Sequence, residues 1–339
     1  MSMATGLRTS TRAWQVTLVL VVGILAGFPG GVLGAPKLRP LNVLLDWFPN
    51  VSHLALYTAK ERGYFEREGL RVQFRTPSGT TDPVKLVGTG KLDLGISYPM
   101  EVILARSKGI PVVSIWPLFQ HPLNVILSFK EANIREPRDL IGKKIGSPMI
   151  PQDQAILASL AADYGFSSKD FQVVNLGFNL TQGLLSKRVD AVVGAYITWE
   201  AVEAALKGQE VNIMKIQDYG IPDYYELVII TNERFVARNG EVLRSFLKAV
   251  RKGTEDLFKD PAGSAAILLK ANRDLQKEIV QRGTEVAVPL MKPTEDPLGL
   301  QGAEKWDRLQ NWMLKYKLIE KKTPVEKMFT NSLLPTVSQ

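Results

Sequence analysis

Aromatic side chains and a few polar ones stand where apolar runs give way to turns. Their types suit the two faces and the edge of a flat, nitrogen-bearing ring. Trp47, Tyr98, Tyr196, Trp199, Tyr224 and Tyr225 offer the faces. Stacking a heterocycle on one such ring is worth roughly 1–3 kcal/mol, with base–aromatic stacking as the measure. An aromatic wall with a few placed polar groups is the usual make-up of a small-molecule pocket. Asn50 brings a donor and an acceptor, and Glu200 a charged acceptor. That pair matches the alternating donors and acceptors of an amino-substituted heterocycle. Tyr196 and Glu200 are four residues apart, so a helix starting there sets them on one face. Asp46 with Glu200 offers a different chemistry, a carboxylate pair acting as general acid and base across a cleft. Each residue also has a plainer use. Asn50 suits a helix N-cap, and Glu200 a first-turn acid favoured by the helix dipole. Trp47 suits a surface filler, Tyr98 before Pro99 a turn residue, and Trp199 packing under its own helix. The binding reading draws its weight from the number of these residues that fall at strand ends.

The elements that must position them alternate between strand and helix, which predicts an α/β protein with parallel sheet. In one unit, strands are expected over 41–45, 71–74 and 92–97, with helices over 50–62, 82–88 and 101–108. In a second, strands are expected over 144–146, 172–175 and 191–194, with helices over 153–164 and 180–186. The units share wording: GYFEREGLRVQF is like YGFSSKDFQVVNL, and GKLDLGISY is like KRVDAVVGAY. Asp93 and Asp190 each precede a third strand. This is an approximate duplication with a period of about 100 residues, the size of a lobe rather than of a solenoid repeat. Ligands of open α/β sheets sit beyond the carboxyl ends of the strands. Those ends are Asp46-Trp47, Thr76-Pro77-Ser78 and Ser97-Tyr98 in the first unit. In the second they are Ser147-Pro148-Met149, Asn175-Leu176-Gly177 and Ala195-Tyr196. QHPLNVILS and DYYELVIITN flank the second unit as two crossovers, so it is inserted into the first. The expected boundaries are 38–122 with 226–335 for lobe 1 and 123–225 for lobe 2, with hinges at His121–Asn124 and Tyr224–Leu227. The stripe Trp306, Leu309, Met313 and Tyr316 has helical spacing and reads as core packing.

Bulk composition narrows the function. A chain of 339 residues, 45% of them hydrophobic, fills the core of one or two domains. The net charge of +8 comes from Lys and Arg scattered among acids, as in KERGYFEREG. That is a solvated surface and no nucleic-acid stripe. Arg8 and Arg12 precede the apolar run VTLVLVVGILAGF and the small residues GGVLGA. The pattern is that of a secretory signal over 1–34, cut after Gly34. The run is too short for a comfortable membrane span. Cysteine is absent, so neither disulfides nor a lipidated cysteine enter the picture. The histidines are His53 and His121, and no HExxH, Cys cluster or GxSxG motif occurs. Gly90-Lys91 is followed by Leu92, not Ser or Thr, so it is no phosphate loop. No metal, cofactor or catalytic set is implied. The rival readings are a secreted enzyme on the same scaffold and a sensor domain whose signal anchor stays uncut.

LDWFPNVSHLALYTAKERGYFEREGL, TDPVKLVGTGKLDLGISY and QHPLNVIL together resemble the periplasmic substrate-binding proteins of ABC importers, in the family that binds thiamin-pyrimidine precursors (formylaminopyrimidine). The resemblance runs through the C-terminal MFTNSLLP. It implies the two-lobed periplasmic binding protein fold (type II), each lobe a mostly parallel sheet flanked by helices, with two hinge crossovers. It implies a periplasmic monomer that binds a small aminopyrimidine and works with permease and ATPase subunits, without a cofactor. By resemblance Trp47 and Tyr196 stack on the ring, Asn50 and Glu200 bond its edge, and Ser97 and Tyr98 line the first lobe. Trp199 and Tyr225 complete the expected site. Relatives with this fold bind riboflavin-like molecules, alkanesulfonates or nitrate. Related fungal synthases build the thiamin pyrimidine from their own histidine and a pyridoxal-phosphate-bound lysine. Ser97 and Glu101 stand at the matching positions here, and the cysteine-rich segment of those enzymes is missing.

Overall fold

The computed structural model describes residues 38–79, 82–293 and 298–335. The expected export signal, 1–34, lies outside them. In chain order the strands are β1 (Arg39–Leu44), β2 (Leu70–Arg75), β3 (Leu94–Ser97), β4 (Val112–Phe119), β5 (Asn124–Phe129), β6 (Lys144–Ser147), β7 (Gln172–Asn175), β8 (Ala191–Tyr196), β9 (Val211–Lys215) and β10 (Glu226–Asn232). They form two five-stranded sheets, ordered β2-β1-β3-β10-β4 and β7-β6-β8-β5-β9. The helices are α1 (Leu54–Glu61), α2 (Tyr64–Arg67), α3 (Asp82–Gly88), α4 (Pro99–Ser107), α5 (Pro151–Tyr164), α6 (Leu180–Leu185) and α7 (Glu200–Leu206). After β10 come α8 (Glu233–Lys259), α9 (Pro261–Ala271), α10 (Lys277–Met291) and α11 (Ala303–Lys315).

The two sheets repeat one plan. β1, β2 and β3 pair in parallel as β6, β7 and β8 do. β10 then joins β3 and β4 antiparallel, and β5 joins β8 and β9 antiparallel. The expectation of mostly parallel sheets is therefore corrected: each sheet is mixed. The cause is the chain path. β5 and β10 each enter their sheet from the segment that arrives from the other sheet, and each runs against both its neighbours. QHPLNVILS and DYYELVIITN are less crossover than strand, since they contain β5 and β10. The passages between sheets shrink to 120–123 and to the stretch before Glu226. β4 and β9 are strands that the alternation missed. Both are edge strands, and β4 carries Pro117, which only an edge position accommodates well. Every residue of β4, β5 and β10 is buried, as befits sheets covered on both faces.

The helices fix where the strand ends point. A short 3-10 turn, Val51–His53, leads from the end of β1 into α1, which Gly63 closes in the left-handed conformation at φ 68°. α1 lies against α8 at a contact only glycine allows: a Cβ on Gly253 would sit 2.2 Å from the Ala55 carbonyl oxygen. On α11, Trp306, Leu309 and Met313 are buried as expected. Tyr316 is half-buried and bonds Asp163 instead. No helix among the described residues is long and apolar enough to cross a membrane.

Gly253→Ala should cost about 1–3 kcal/mol, since the clash is with backbone and cannot be relieved by a rotamer. Gly240→Ala, in the same helix but facing only the flexible Arg244, should be neutral or stabilising. Denaturant titration of both variants checks this, and equal effects would contradict the close-contact reading.

Candidate functional site

The turn after β1 is folded back on itself by Asn50. Its Oδ1 accepts from the Ser52 N–H at 2.8 Å, and its Nδ2 donates to the Phe48 carbonyl at 3.0 Å. The Asn50 N–H donates to His53 Nδ1 at 3.2 Å, completing a capping box with histidine in the third position. The other ring nitrogen, Nε2, lies 2.9 Å from Asp46 Oδ1. Tyr98, at the carboxyl end of β3, sets its hydroxyl 3.4 Å from Asp46 Oδ2. Asp46 and His53 are almost fully buried. Burial, and next the Asp46 charge, hold the Tyr98 hydroxyl well above the ordinary phenol range. Asp46, Trp47 and Asn50 are thus delivered together by one short turn.

The second lobe answers with the end of β8. Gly194 adopts φ 85° inside the strand, where the pairing with β5 slips by one residue. Such a bulge re-aims the residues after it. A Cβ on Gly194 would fall 2.9 Å from Asp153 Oδ1 and 3.0 Å from Pro148. After the bulge, the Tyr196 N–H donates to Glu200 Oε2 at 2.7 Å. The helix begins only at Glu200 and Tyr196 ends β8, so the shared helical face that the four-residue spacing suggested does not form, and the two residues meet through this backbone bond instead. Burial pushes the Glu200 carboxyl up to about 7, against the opposing pull of that N–H.

Asp46, Trp47, Asn50, Gly194, Tyr196, Trp199 and Glu200 enclose an inner chamber of about 20 Å³. Trp199 and Glu200 also face an outer vestibule of about 570 Å³, whose other walls include Phe48, Phe178, Thr181, Asn272 and Gln276. Aromatic edges meet beside both cavities. Trp47 meets Phe178 at 4.3 Å and 80°, and Phe48 meets Trp199 at 5.6 Å and 67°. Each contact joins a ring from the turn after β1 to one from the opposite sheet's loops, in the edge-to-face geometry aromatic pairs favour. The chamber has room for about one water, so a ring enters only when this clasp parts.

Five of the residues chosen from sequence meet here: Trp47, Asn50, Tyr196, Trp199 and Glu200. Tyr98 stands one bond behind, on Asp46. Ser97 is buried at the end of β3, paired with Val228 in the sheet, and does not line the chamber. Tyr225 is elsewhere. Its hydroxyl accepts from the Gly302 N–H at 2.8 Å, and its ring packs against Trp306. The turn before β10 directs it into the packing of α11. Sequence reasoning weighs Asp46 only as a catalytic partner and passes over His53, Phe178 and Gly194. The Asn-x-x-His spacing is the available signal for His53, as a capping box.

Behind the chamber, Glu226 is fully buried at the start of β10. It accepts from the Leu123 N–H at 3.3 Å and the Tyr224 hydroxyl at 3.2 Å, both beside the crossings. It also accepts from the Tyr196 hydroxyl at 3.3 Å and Gln152 Nε2 at 3.4 Å. Burial pushes Glu226 up to about 7 and Asp153 up to about 8. Among the described residues, no group of three or more His, Cys, Asp or Glu is placed to hold a metal ion.

Comparison with known proteins adds a family. The family model described as NMT1/THI5 like matches residues 50–264. The chain is 36% identical over 298 residues to the formylaminopyrimidine-binding protein of Halalkalibacterium halodurans, covering 87% of this chain and 90% of that one. It is 25% identical over 249 residues to the 4-amino-5-hydroxymethyl-2-methylpyrimidine phosphate synthase of Schizosaccharomyces pombe, covering 70% and 71%. Among solved structures, the alkanesulfonate-binding protein SsuA of Xanthomonas axonopodis pv. citri superposes with a TM-score of 0.68 at 17% identity, over 87% of this chain and 99% of that one. That likeness is one of fold: two lobes, each an α/β layer around a mixed sheet.

The buried carboxylates set a pH dependence. Glu200 and Glu226 ordinarily ionise near 4.5 and Asp153 near 3.8, and each holds its proton more tightly when folded. Where the folded state binds more protons, stability falls as pH rises. The contribution is full below the ordinary values, is lost through the window up to about 8, and is flat beyond. Thermal melts of the ligand-free protein should therefore decline between about pH 5 and 8, and Glu226→Gln should flatten that decline. An unchanged slope in the variant would contradict the assignment.

Proposed function

The chain belongs to the NMT1/THI5-like family, and on that premise we propose that it is the periplasmic solute-binding component of an ABC importer, taking a small aminopyrimidine thiamin precursor between its lobes. The observation that carries this reading is the chamber itself. Rings from both lobes (Trp47 from one, Tyr196 and Trp199 from the other) converge with Asp46, Asn50 and Glu200 on one point. Trp47 and Tyr196 take the faces of the ring. Asn50 and Glu200 bond its edge, with Asp46 as a further acceptor. The likeness to the formylaminopyrimidine-binding protein supports this class of ligand.

The lobes are 38–122 with 226–335, and 123–225. They turn about His121–Asn124 and Tyr224–Leu227. Parting the lobes opens the aromatic clasp and admits the ring; contacts from both sides then favour the closed form. The closed protein presents its ligand to a permease driven by an ATPase, both separate chains. Export by the segment 1–34 places it in the periplasm as a monomer. An alkanesulfonate or nitrate ligand fits less well. The chamber lining includes two carboxyl groups and neither Lys nor Arg, so an anion there finds no cationic partner. A synthase reading is disfavoured by Ser97 and Glu101, which stand where the resemblance to the fungal enzymes expects lysine and histidine.

Titration calorimetry with N-formyl-4-amino-5-aminomethyl-2-methylpyrimidine should give one ligand per chain, and no product should form on incubation. The ligand should raise the melting temperature by mass action. Glu200→Gln should weaken binding roughly 10- to 150-fold, the range for a hydrogen bond to a charged group. Unchanged affinity would remove Glu200 from the site, and tighter binding of an alkanesulfonate would overturn the ligand class.

A further inference from the structure

His53 carries the geometry one step further. It is fully buried and spends both ring nitrogens inside the turn after β1. Nδ1 accepts the Asn50 N–H at 3.2 Å, so that nitrogen carries no proton. The remaining hydrogen is on Nε2, which donates to Asp46 Oδ1 at 2.9 Å. A backbone amide thus fixes the tautomer, and the tautomer makes Asp46 Oδ1 the acceptor of the Nε2 hydrogen. Asp46 Oδ2 has one long contact, the Tyr98 hydroxyl at 3.4 Å, while Asp46 itself faces the chamber. A carboxyl oxygen can accept two hydrogen bonds, so Asp46 keeps acceptor capacity beyond these two contacts.

We propose that His53 is a positioning residue that sets ligand selectivity: by donating to Asp46 it holds that carboxylate as an acceptor, so that the chamber prefers a ring presenting an N–H donor. This deepens the functional reading above and rests on it. A site built to accept from an N–H rejects the analogue that lacks one, because its buried acceptor is left without a partner. Without the His53 donor, Asp46 loses the bond that orients it as an acceptor, and the preference goes with it. Asn50, which sequence reasoning places against the ligand, then acts twice, because its backbone N–H also sets the tautomer.

The test compares two probes, N-formyl-4-amino-5-aminomethyl-2-methylpyrimidine and the analogue with methyl in place of the 4-amino group. In the wild-type protein the amino probe should bind about 10- to 150-fold more tightly. In His53→Leu that ratio should fall below about 5-fold, and in His53→Gln, which keeps an N–H donor, it should stay close to wild type. If the variants lose affinity for both probes in parallel with the ratio unchanged, His53 is only structural and the proposal fails. If the wild-type protein binds neither probe, the functional reading fails and the selectivity claim fails with it. Binding of both probes equally by the wild type overturns the selectivity claim alone. Should His53→Leu not fold, nitrogen-15 NMR of the wild-type protein decides. The chain has two histidines, so a His121→Gln sample assigns the signals. The expected signature is a ring protonated at Nε2 and bare at Nδ1; a proton on Nδ1 overturns the proposal.

Discussion

A carboxylate taken out of water must be hydrogen-bonded, and four lie in and behind the chamber, among them Asp153, which Ser147 bonds. Asp46 has His53 and Tyr98, Glu200 has the Tyr196 N–H, and Glu226 has donors from both crossings and from the second lobe. Removing one partner from such a group costs far more than an ordinary surface bond. The donors therefore have to be placed with care, and much of the local architecture does that. The capping box turns His53 onto Asp46, the bulge at Gly194 aims Tyr196, and the start of β10 brings Glu226 beneath both lobes. Tyr196 links two of these groups. Its backbone holds Glu200, its hydroxyl meets Glu226, and its ring faces the chamber. Closure of the lobes, the state of the carboxylates and the shape of the site are thereby one problem.

The repeated sheet plan supplies the frame. β1 and β8 occupy inner positions in their sheets, and the residues following their carboxyl ends form the chamber's two walls. The antiparallel strands β5 and β10 lie near them and begin at the crossings. A ligand between the walls would thus contact segments close to where the chain passes from one sheet to the other. That is the arrangement in which a small ligand's binding energy can move a large lobe, because its contacts differ between open and closed states.

Much of this is legible in the sequence, and the gaps have physical causes. The strand ends are visible because an apolar run stopping at Asp46-Trp47 or Ala195-Tyr196 marks both an element's end and a face for a ligand. Asp46, Trp47 and Tyr196 follow from that rule, while Asn50, Trp199 and Glu200 follow from their residue types beside those ends. Ser97 follows from it too, and Tyr225 from its place among loop aromatics, yet neither lines the chamber. A strand end gives a position and not a direction, and Tyr225 is turned toward Trp306 by a loop without periodicity. The parallel character of the sheets is overestimated because the antiparallel member of each comes from a segment whose role as a crossover hides its role as a strand. β4 and β9 escape notice because an edge strand can carry a proline or polar residues without an alternating pattern. His53 escapes because a buried histidine paired to an acid has no local signature beyond the cap spacing. Phe178 escapes because contact across a cleft leaves no trace in sequence.

The most direct measurement is a crystal structure of the protein with N-formyl-4-amino-5-aminomethyl-2-methylpyrimidine. The expected result is a ring inside the enlarged chamber, faces on Trp47 and Tyr196, with its edge bonded to Asn50, Glu200 and Asp46. A ligand held only in the vestibule, or a chamber still shut by Trp47 and Trp199 with the ligand bound elsewhere, would contradict it.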